Sequence, residues 1–337
     1  MWHHAPVMNR LRVLEFIRSS DAVWNLPRAH LDALAGEFPE VDFVSAVTSQ
    51  ECDERLAEAD VVLGWAVRRE NFPRATRLRW IQVTAAGVGG LLFPELVESP
   101  VIVTNGRGLH ALSMAEHALG VMLMFARNLH LARDAQHDRR WSQRELGAEP
   151  AAFRRLSGTT LGIVGFGAIG RGIAERARGL GLRTLVVRRH PAADPAPADA
   201  QWGSERLPEL IAQADWLVLA TPLTAETRRL IGAVEIARMR PGTVLINLGR
   251  GGLVDEPALI AALKSGAIAG AALDVFEEEP LPAGSELWSL PQVIVTPHIS
   301  GLDPQLWERS MRLFARNLRA YLDGRPLENV VDKRAGY

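Results

Sequence analysis

The chain has 337 residues, 47% of them hydrophobic, and a formal net charge of −1; this is enough apolar material for two medium-sized cores, so two domains are expected. The near-neutral balance argues against nucleic acid or an anionic membrane as a partner, and the longest apolar run, residues 119–126, is too short to cross a bilayer. The single cysteine, Cys52, excludes an internal disulfide and fits a reducing, cytoplasmic setting, and the opening residues show no signal-peptide apolar region.

Residues 11–16, 61–64 and 80–84 are short apolar runs that predict a smaller N-terminal α/β unit. Residues 113–131, apolar nearly all round through Met114, Leu119, Met122 and Phe125, predict one helix buried between domains or subunits. From Thr160 a buried-strand pattern runs into Gly165, Gly167 and Gly170. In such a turn the first glycine allows the sharp bend, the second lets a pyrophosphate approach the backbone, and the third lets the following helix pack close to the strand. The amides of Ala168, Ile169 and Gly170 would open that helix and meet the phosphates.

Residues 183–187, 215–220, 243–248, 268–273 and 292–296 follow as buried parallel strands with helical segments between several of them, which predicts a doubly wound sheet. About eighteen residues after Gly170, where an NAD enzyme would place an acid against the ribose hydroxyls, stand Arg188 and Arg189. Two fixed positive charges suit a 2′-phosphate, so NADP is expected over NAD, with NAD as the second choice. The proline-rich residues 190–197 predict a surface loop within the sheet, not a domain linker. Polar elements follow three late strands: a glycine-rich turn holding Arg250, an acidic loop from Asp274 to Glu279 before Pro280, and Thr296-Pro297-His298-Ile299-Ser300-Gly301. Strand ends are where open α/β sheets bind ligands. A helix over residues 304–322 would return the chain to its first domain.

Those three elements, with residues 101–105, Ser113-Met114-Ala115-Glu116-His117, the segment from Thr221 and Pro222 to Thr227, and Asn329-Val330-Val331-Asp332, resemble the D-isomer-specific 2-hydroxyacid dehydrogenase family, in its glyoxylate/hydroxypyruvate reductase form, in the family's order. The resemblance implies two Rossmann-like or flavodoxin-like α/β domains with a cleft between them: residues 1–108 with 304–337 for substrate, and residues 109–303 for the dinucleotide. It also implies a homodimer and a small 2-oxo or 2-hydroxy acid as substrate, with no metal.

By position, Arg250 would hold the carboxylate and carbonyl oxygens of a 2-oxo acid, and His298 would be the general acid in reduction and the base in reverse. Glu279 would bond the far side of the imidazole, fix its tautomer and favour its charged form. Asp274 would sit near the nicotinamide carboxamide, or else be an ordinary strand-end hydrogen-bonding residue. Thr221, Pro222, Thr227, Leu248, Gly249 and Ser300 would complete the cofactor site. In the first domain the backbone of Ala86, Gly87, Val88 and Gly89 resembles the family's carboxylate-binding loop. Gly89-Gly90 departs from the family's acid followed by Asn or His, which weakens transfer of side-chain specificity. Trp65 is a candidate pocket wall, though core packing explains it equally well. Two other functions compete: formate or phosphite oxidation, the formate branch disfavoured by Glu279, and a dinucleotide-sensing scaffold similar to corepressors, for which no basic or disordered extension speaks.

Overall fold

The structure is a computed structural model that describes residues 10–19, 22–148 and 153–336; residues 1–9, expected to carry no signal sequence, lie outside it. The chain divides into two compact units, one of residues 1–109 with 304–337 and one of residues 110–303.

The first unit is built on a five-stranded parallel sheet of β1 (Leu11–Phe16), β2 (Val41–Ser45), β3 (Val61–Gly64), β4 (Trp80–Gln82) and β5 (Ile102–Thr104), in the order β2-β1-β3-β4-β5. This is the flavodoxin-like order. Successive residues serve opposite faces: Val13, Val61, Leu63 and Trp80 pack on one side, Leu14, Val62, Ile81 and Val103 on the other. The helix Leu306–Leu322 covers the first face, with Phe314 and Tyr321 stacked on the Trp80 ring at 5.3 and 5.5 Å. The buried Trp80 indole donates to Thr104 Oγ1 at 2.7 Å, so its polar edge is satisfied. Cys52 is buried and unpaired, and burial pushes its thiol up to about 11.

The second unit holds seven parallel strands: β6 (Thr160–Val164), β7 (Arg183–Val187), β8 (Ala200–Trp202), β9 (Trp216–Leu219), β10 (Val244–Asn247), β11 (Gly270–Leu273) and β12 (Val293–Val295). Their order is β12-β11-β10-β9-β6-β7-β8, so the direction of travel reverses between β6 and β9, the place where ligands of doubly wound sheets bind. Leu161, Ile163, Val218 and Ile246 face one core; Val187, Leu217, Leu219 and Leu245 face the other. With helices on both faces, the central strands β9 and β10 are almost wholly apolar.

The expected single helix over residues 113–131 is two helices, Ala111–Ala126 and Leu129–His137. Asn128 adopts φ 53° between them, a left-handed conformation that asparagine tolerates and that ends an α-helix. Much of the first helix is buried within its own unit. Met114, Ala115, Ala118 and Met122 join the core of the helix Ala168–Gly179 in the same unit, and Gly172, whose Cβ would lie 3.3 Å from Ala111 O, permits the approach. Residues 190–197 form a loop between the adjacent strands β7 and β8. Among the described residues no helix is long and apolar enough to cross a membrane.

Candidate active site

The turn after β6 is shaped for a ligand. Gly165 has φ +97°, and a Cβ there would fall 2.6 Å from Ala220 O; one on Gly170 would fall 2.3 Å from Gly165 O. Both positions therefore require glycine. A Cβ on Gly167 would meet nothing within 4 Å, so this glycine leaves open space. Gly167 also caps the twelve-residue helix Ala168–Gly179 without a side chain, leaving its first amides, including those of Ala168 and Ile169, for an anion. An open, uncapped helix start at the reversal point of the sheet fits a dinucleotide pyrophosphate.

At the end of β7, the half-buried Arg188 has no side-chain partner among the described residues, and its amide is held by Trp202 O at 3.0 Å. Arg189 lies 3.7 Å from Glu226 Oε2. Glu226 also accepts from Thr224 Oγ1 at 2.6 Å, and chiefly this bond holds its carboxyl below the ordinary range. Thr227 organises the same loop, donating to Pro222 O and accepting from the Thr224 amide, each at 2.7 Å. Thr221 backs the turn as well, since its carbonyl would meet a Cβ on Gly249 at 2.8 Å.

Three strand ends then meet around a cavity of about 560 Å³, lined among others by Leu223, Arg228, Arg250, Phe276, Glu277, Glu279 and His298. After β10, the buried Asn247 shapes the turn: its Nδ2 donates to Arg250 O at 2.9 Å and its Oδ1 accepts from the Gly249 amide at 3.1 Å. Leu248 between them is buried. Gly251 packs directly on the backbone of Phe276, where any side chain would collide. After β11, Glu279 Oε1 accepts from the Phe276 amide at 3.0 Å, and Glu279 Oε2 lies 2.7 Å from His298 Nδ1. The carboxylate thus ties the acidic loop to the imidazole, assigns the proton on Nδ1 to that contact, and leaves Nε2 for a ligand.

His298 itself has φ 53°, where a residue with a side chain is strained. What holds it is Asp274, 1% exposed, whose Oδ1 accepts from Thr296 Oγ1 at 2.6 Å and the Ile299 amide at 3.0 Å while Oδ2 accepts from the Ser300 amide at 3.0 Å. Both oxygens of Asp274 are thus engaged in strand-end hydrogen bonds. Behind Thr296, His117 Nε2 stands 3.3 Å from the hydroxyl, and burial pushes the His117 imidazole below its ordinary range against the opposing pull of Asp274.

Two predictions arise here. Asp274→Asn puts an amide N–H against a buried donor, which costs roughly 1–3 kcal/mol of stability in urea denaturation and frees the strained His298 loop; unchanged stability would contradict the clamp. The second concerns pH. His117 and His130 are both lowered by burial from the ordinary 6.5, so the unfolded chain binds more protons as pH falls below that value. Their contribution to stability is complete above pH 6.5 and is lost as pH drops toward the folded-state values. His117→Gln, which keeps an N–H for Thr296, should therefore flatten the acid limb of a stability–pH curve, and an equally steep limb would contradict the assignment.

In the first unit, the amides of Ala86, Gly87, Val88 and Gly89 have no acceptor among the described residues, whereas Ala86 O accepts from Asn105 Nδ2 at 2.7 Å. The loop is thus fixed while its amides stay available, an arrangement suited to an anion. Val88 buries its side chain in the core, and Trp65 packs half-buried against the same cluster. Sequence reasoning missed Arg228 and Glu226. The signal for both was their place in and beside the segment ending at Thr227.

Residues 119–300 match the family model for the D-isomer specific 2-hydroxyacid dehydrogenase NAD binding domain. A glyoxylate reductase of Pyrococcus furiosus is 36% identical over 287 residues, 83% of this chain and 84% of that protein. A glycerate dehydrogenase of Methylorubrum extorquens is 34% identical over 91% of this chain and 98% of its own length. The match to the D-3-phosphoglycerate dehydrogenase of Methanocaldococcus jannaschii, 34% identical over 90% of this chain, spans only 58% of that longer protein. A D-isomer specific 2-hydroxyacid dehydrogenase from Xanthobacter autotrophicus, crystallised with NADPH and MES, superposes with a TM-score of 0.82 at 30% identity, over 97% of this chain and all of that one. With the strand order, the glycine turn and the Arg250, Glu279 and His298 cavity already in view, so extensive a likeness in both sequence and fold makes this chain a member of the D-isomer-specific 2-hydroxyacid dehydrogenase family.

Proposed function

We propose that the chain reduces 2-oxo acids to D-2-hydroxy acids with a nicotinamide dinucleotide, preferring NADP to NAD. The observation that carries the reading is one cavity bordered both by Arg250 and by an imidazole whose Nδ1 is bonded to Glu279. The planar guanidinium of Arg250 suits the carboxylate and adjacent carbonyl oxygen of a 2-oxo acid. Protonated His298 gives its Nε2 proton to that carbonyl oxygen, keeping the Nδ1 proton against Glu279, and takes a proton back in the reverse direction. When bound, the nicotinamide supplies the hydride that the carbonyl carbon accepts.

Gly165, Gly167, Ala168, Ile169 and Gly170 would hold the pyrophosphate and Arg188 with Arg189 the 2′-phosphate. Thr221, Pro222, Thr227, Leu248, Gly249, Asp274 and Ser300 would shape the rest of the cofactor site. The unit of residues 1–109 and 304–337 would serve the substrate through its free amides at Ala86, Gly87, Val88 and Gly89. Apolar side chains left exposed in the single chain, Leu123, Leu129 and Trp141, support a homodimer, and the single buried thiol is in keeping with a cytoplasmic protein.

Glyoxylate and hydroxypyruvate are the first substrates to try, in line with the names of the Pyrococcus and Methylorubrum relatives. Those relatives are named as enzymes, which favours catalysis over a sensing scaffold. Chiral separation of the product formed from hydroxypyruvate and NADPH tests the reading. D-glycerate is expected, and the L product, or none from any 2-oxo acid, would contradict it.

A further inference from the structure

The charges around the cavity are unequally matched. Its two carboxylates have partners: Glu279 bonds His298, and Glu277 Oε1 lies 3.8 Å from Arg229, outside the lining. Its two guanidinium groups have none of this kind. Arg250 donates only to its neighbour's carbonyl, Gly249 O, at 2.7 Å, and Arg228 has no side-chain hydrogen bond or ion pair among the described residues. The backbone beneath Arg228 is nevertheless fixed. Its amide donates to Thr224 O at 3.1 Å, and the preceding Thr227 hydroxyl is bonded on both sides. From there the side chain passes over Gly252, its Nη1 3.6 Å from where a Cβ would stand. Neither guanidinium is engaged by a carboxylate among the described residues, so each can meet an incoming anion without first breaking an ion pair.

One of those charges, Arg250, is matched by the carboxylate that every 2-oxo acid carries. The phosphates of a dinucleotide do not account for the other, because the open helix start at Ala168 suits the pyrophosphate and Arg188 with Arg189 the 2′-phosphate. We propose that Arg228 reads a second anionic group on the substrate, so that the enzyme prefers 2-oxo acids bearing a carboxylate, sulfonate or phosphate at the far end. This rests on the 2-oxo acid reductase reading above and narrows its substrate class.

The test compares kcat/KM with NADPH for substrates that differ in that group alone: pyruvate against 3-sulfopyruvate, and hydroxypyruvate against 3-phosphohydroxypyruvate. A charge-assisted contact of this kind gives the wild type a preference for the dianion on the order of ten- to a hundredfold, weakened by added salt. Arg228→Gln should bring the ratio close to one, and Arg228→Lys should keep part of it. Arg228 is exposed, so both variants should fold like the wild type. A wild-type ratio at or below one, or a ratio untouched by Arg228→Gln, overturns the proposal. So does weaker NADPH binding by Arg228→Gln in a fluorescence titration with the ratio unchanged, which would assign the residue to the cofactor. Turnover without a dianion preference defeats this proposal alone, whereas no turnover of any 2-oxo acid removes the reductase reading as well.

Discussion

His298→Ala is expected to lower the rate of 2-oxo acid reduction by roughly a hundred- to ten-thousand-fold, because a positioned general acid contributes about that much. Arg250→Ala should cause a loss of similar order, felt in both KM and kcat, since the guanidinium would hold the substrate and polarise its carbonyl oxygen. Neither side chain belongs to the glycine turn after β6 or to the arginine pair after β7, so NADPH titrations of both variants should resemble the wild type. Both residues are exposed at the cavity, and thermal melts should show little change. Glu279→Gln should give a smaller loss, because an amide can still meet Nδ1 but no longer offers a carboxylate to the charged imidazole. Turnover by His298→Ala at the wild-type rate would remove the proton-transfer role altogether.

The second large effect is cofactor choice. Each charge-assisted contact to a 2′-phosphate contributes roughly 1.5–3 kcal/mol, so NADPH should exceed NADH by at least about tenfold in kcat/KM. The structure separates the two arginines. Arg189 lies within reach of Glu226, while Arg188 is half-buried without a partner among the described residues, so Arg188 should carry the larger share. Arg188→Asp should then reverse the preference, because the new carboxylate accepts from the ribose hydroxyls and repels phosphate at the same position. Arg189→Ala should reduce the preference without reversing it. An Arg188→Asp enzyme that still favours NADPH would place the phosphate elsewhere.

The central strands were legible because burial on both faces makes them unbroken apolar runs, as in Trp216–Leu219 and Val244–Asn247. Three edge strands were not. β2 interrupts its apolar residues with Asp42 and Ser45, and β5 and β8 have three residues each, so none leaves a long continuous apolar signal. The break at Asn128 was hidden because a helix interrupted by one left-handed residue keeps its apolar pattern on either side. In the site, Arg250, Glu279 and His298 stood out as unusual residue types directly after buried strands. Arg228 did not, since an arginine beside another arginine in a loop looks like solvated surface until the cavity shows what it borders. Asp274 was noticed for its position, but its use of both oxygens to hold the His298 loop depends on side-chain geometry that spacing alone does not contain.

The central claim is tested most directly by following NADPH and NADH oxidation side by side, with the purified wild-type protein, over a panel of 2-oxo acids of increasing size. The account predicts turnover of at least one small 2-oxo acid, faster with NADPH by about tenfold or more at equal cofactor concentration below saturation. No oxidation of either cofactor with any member of the panel would contradict it.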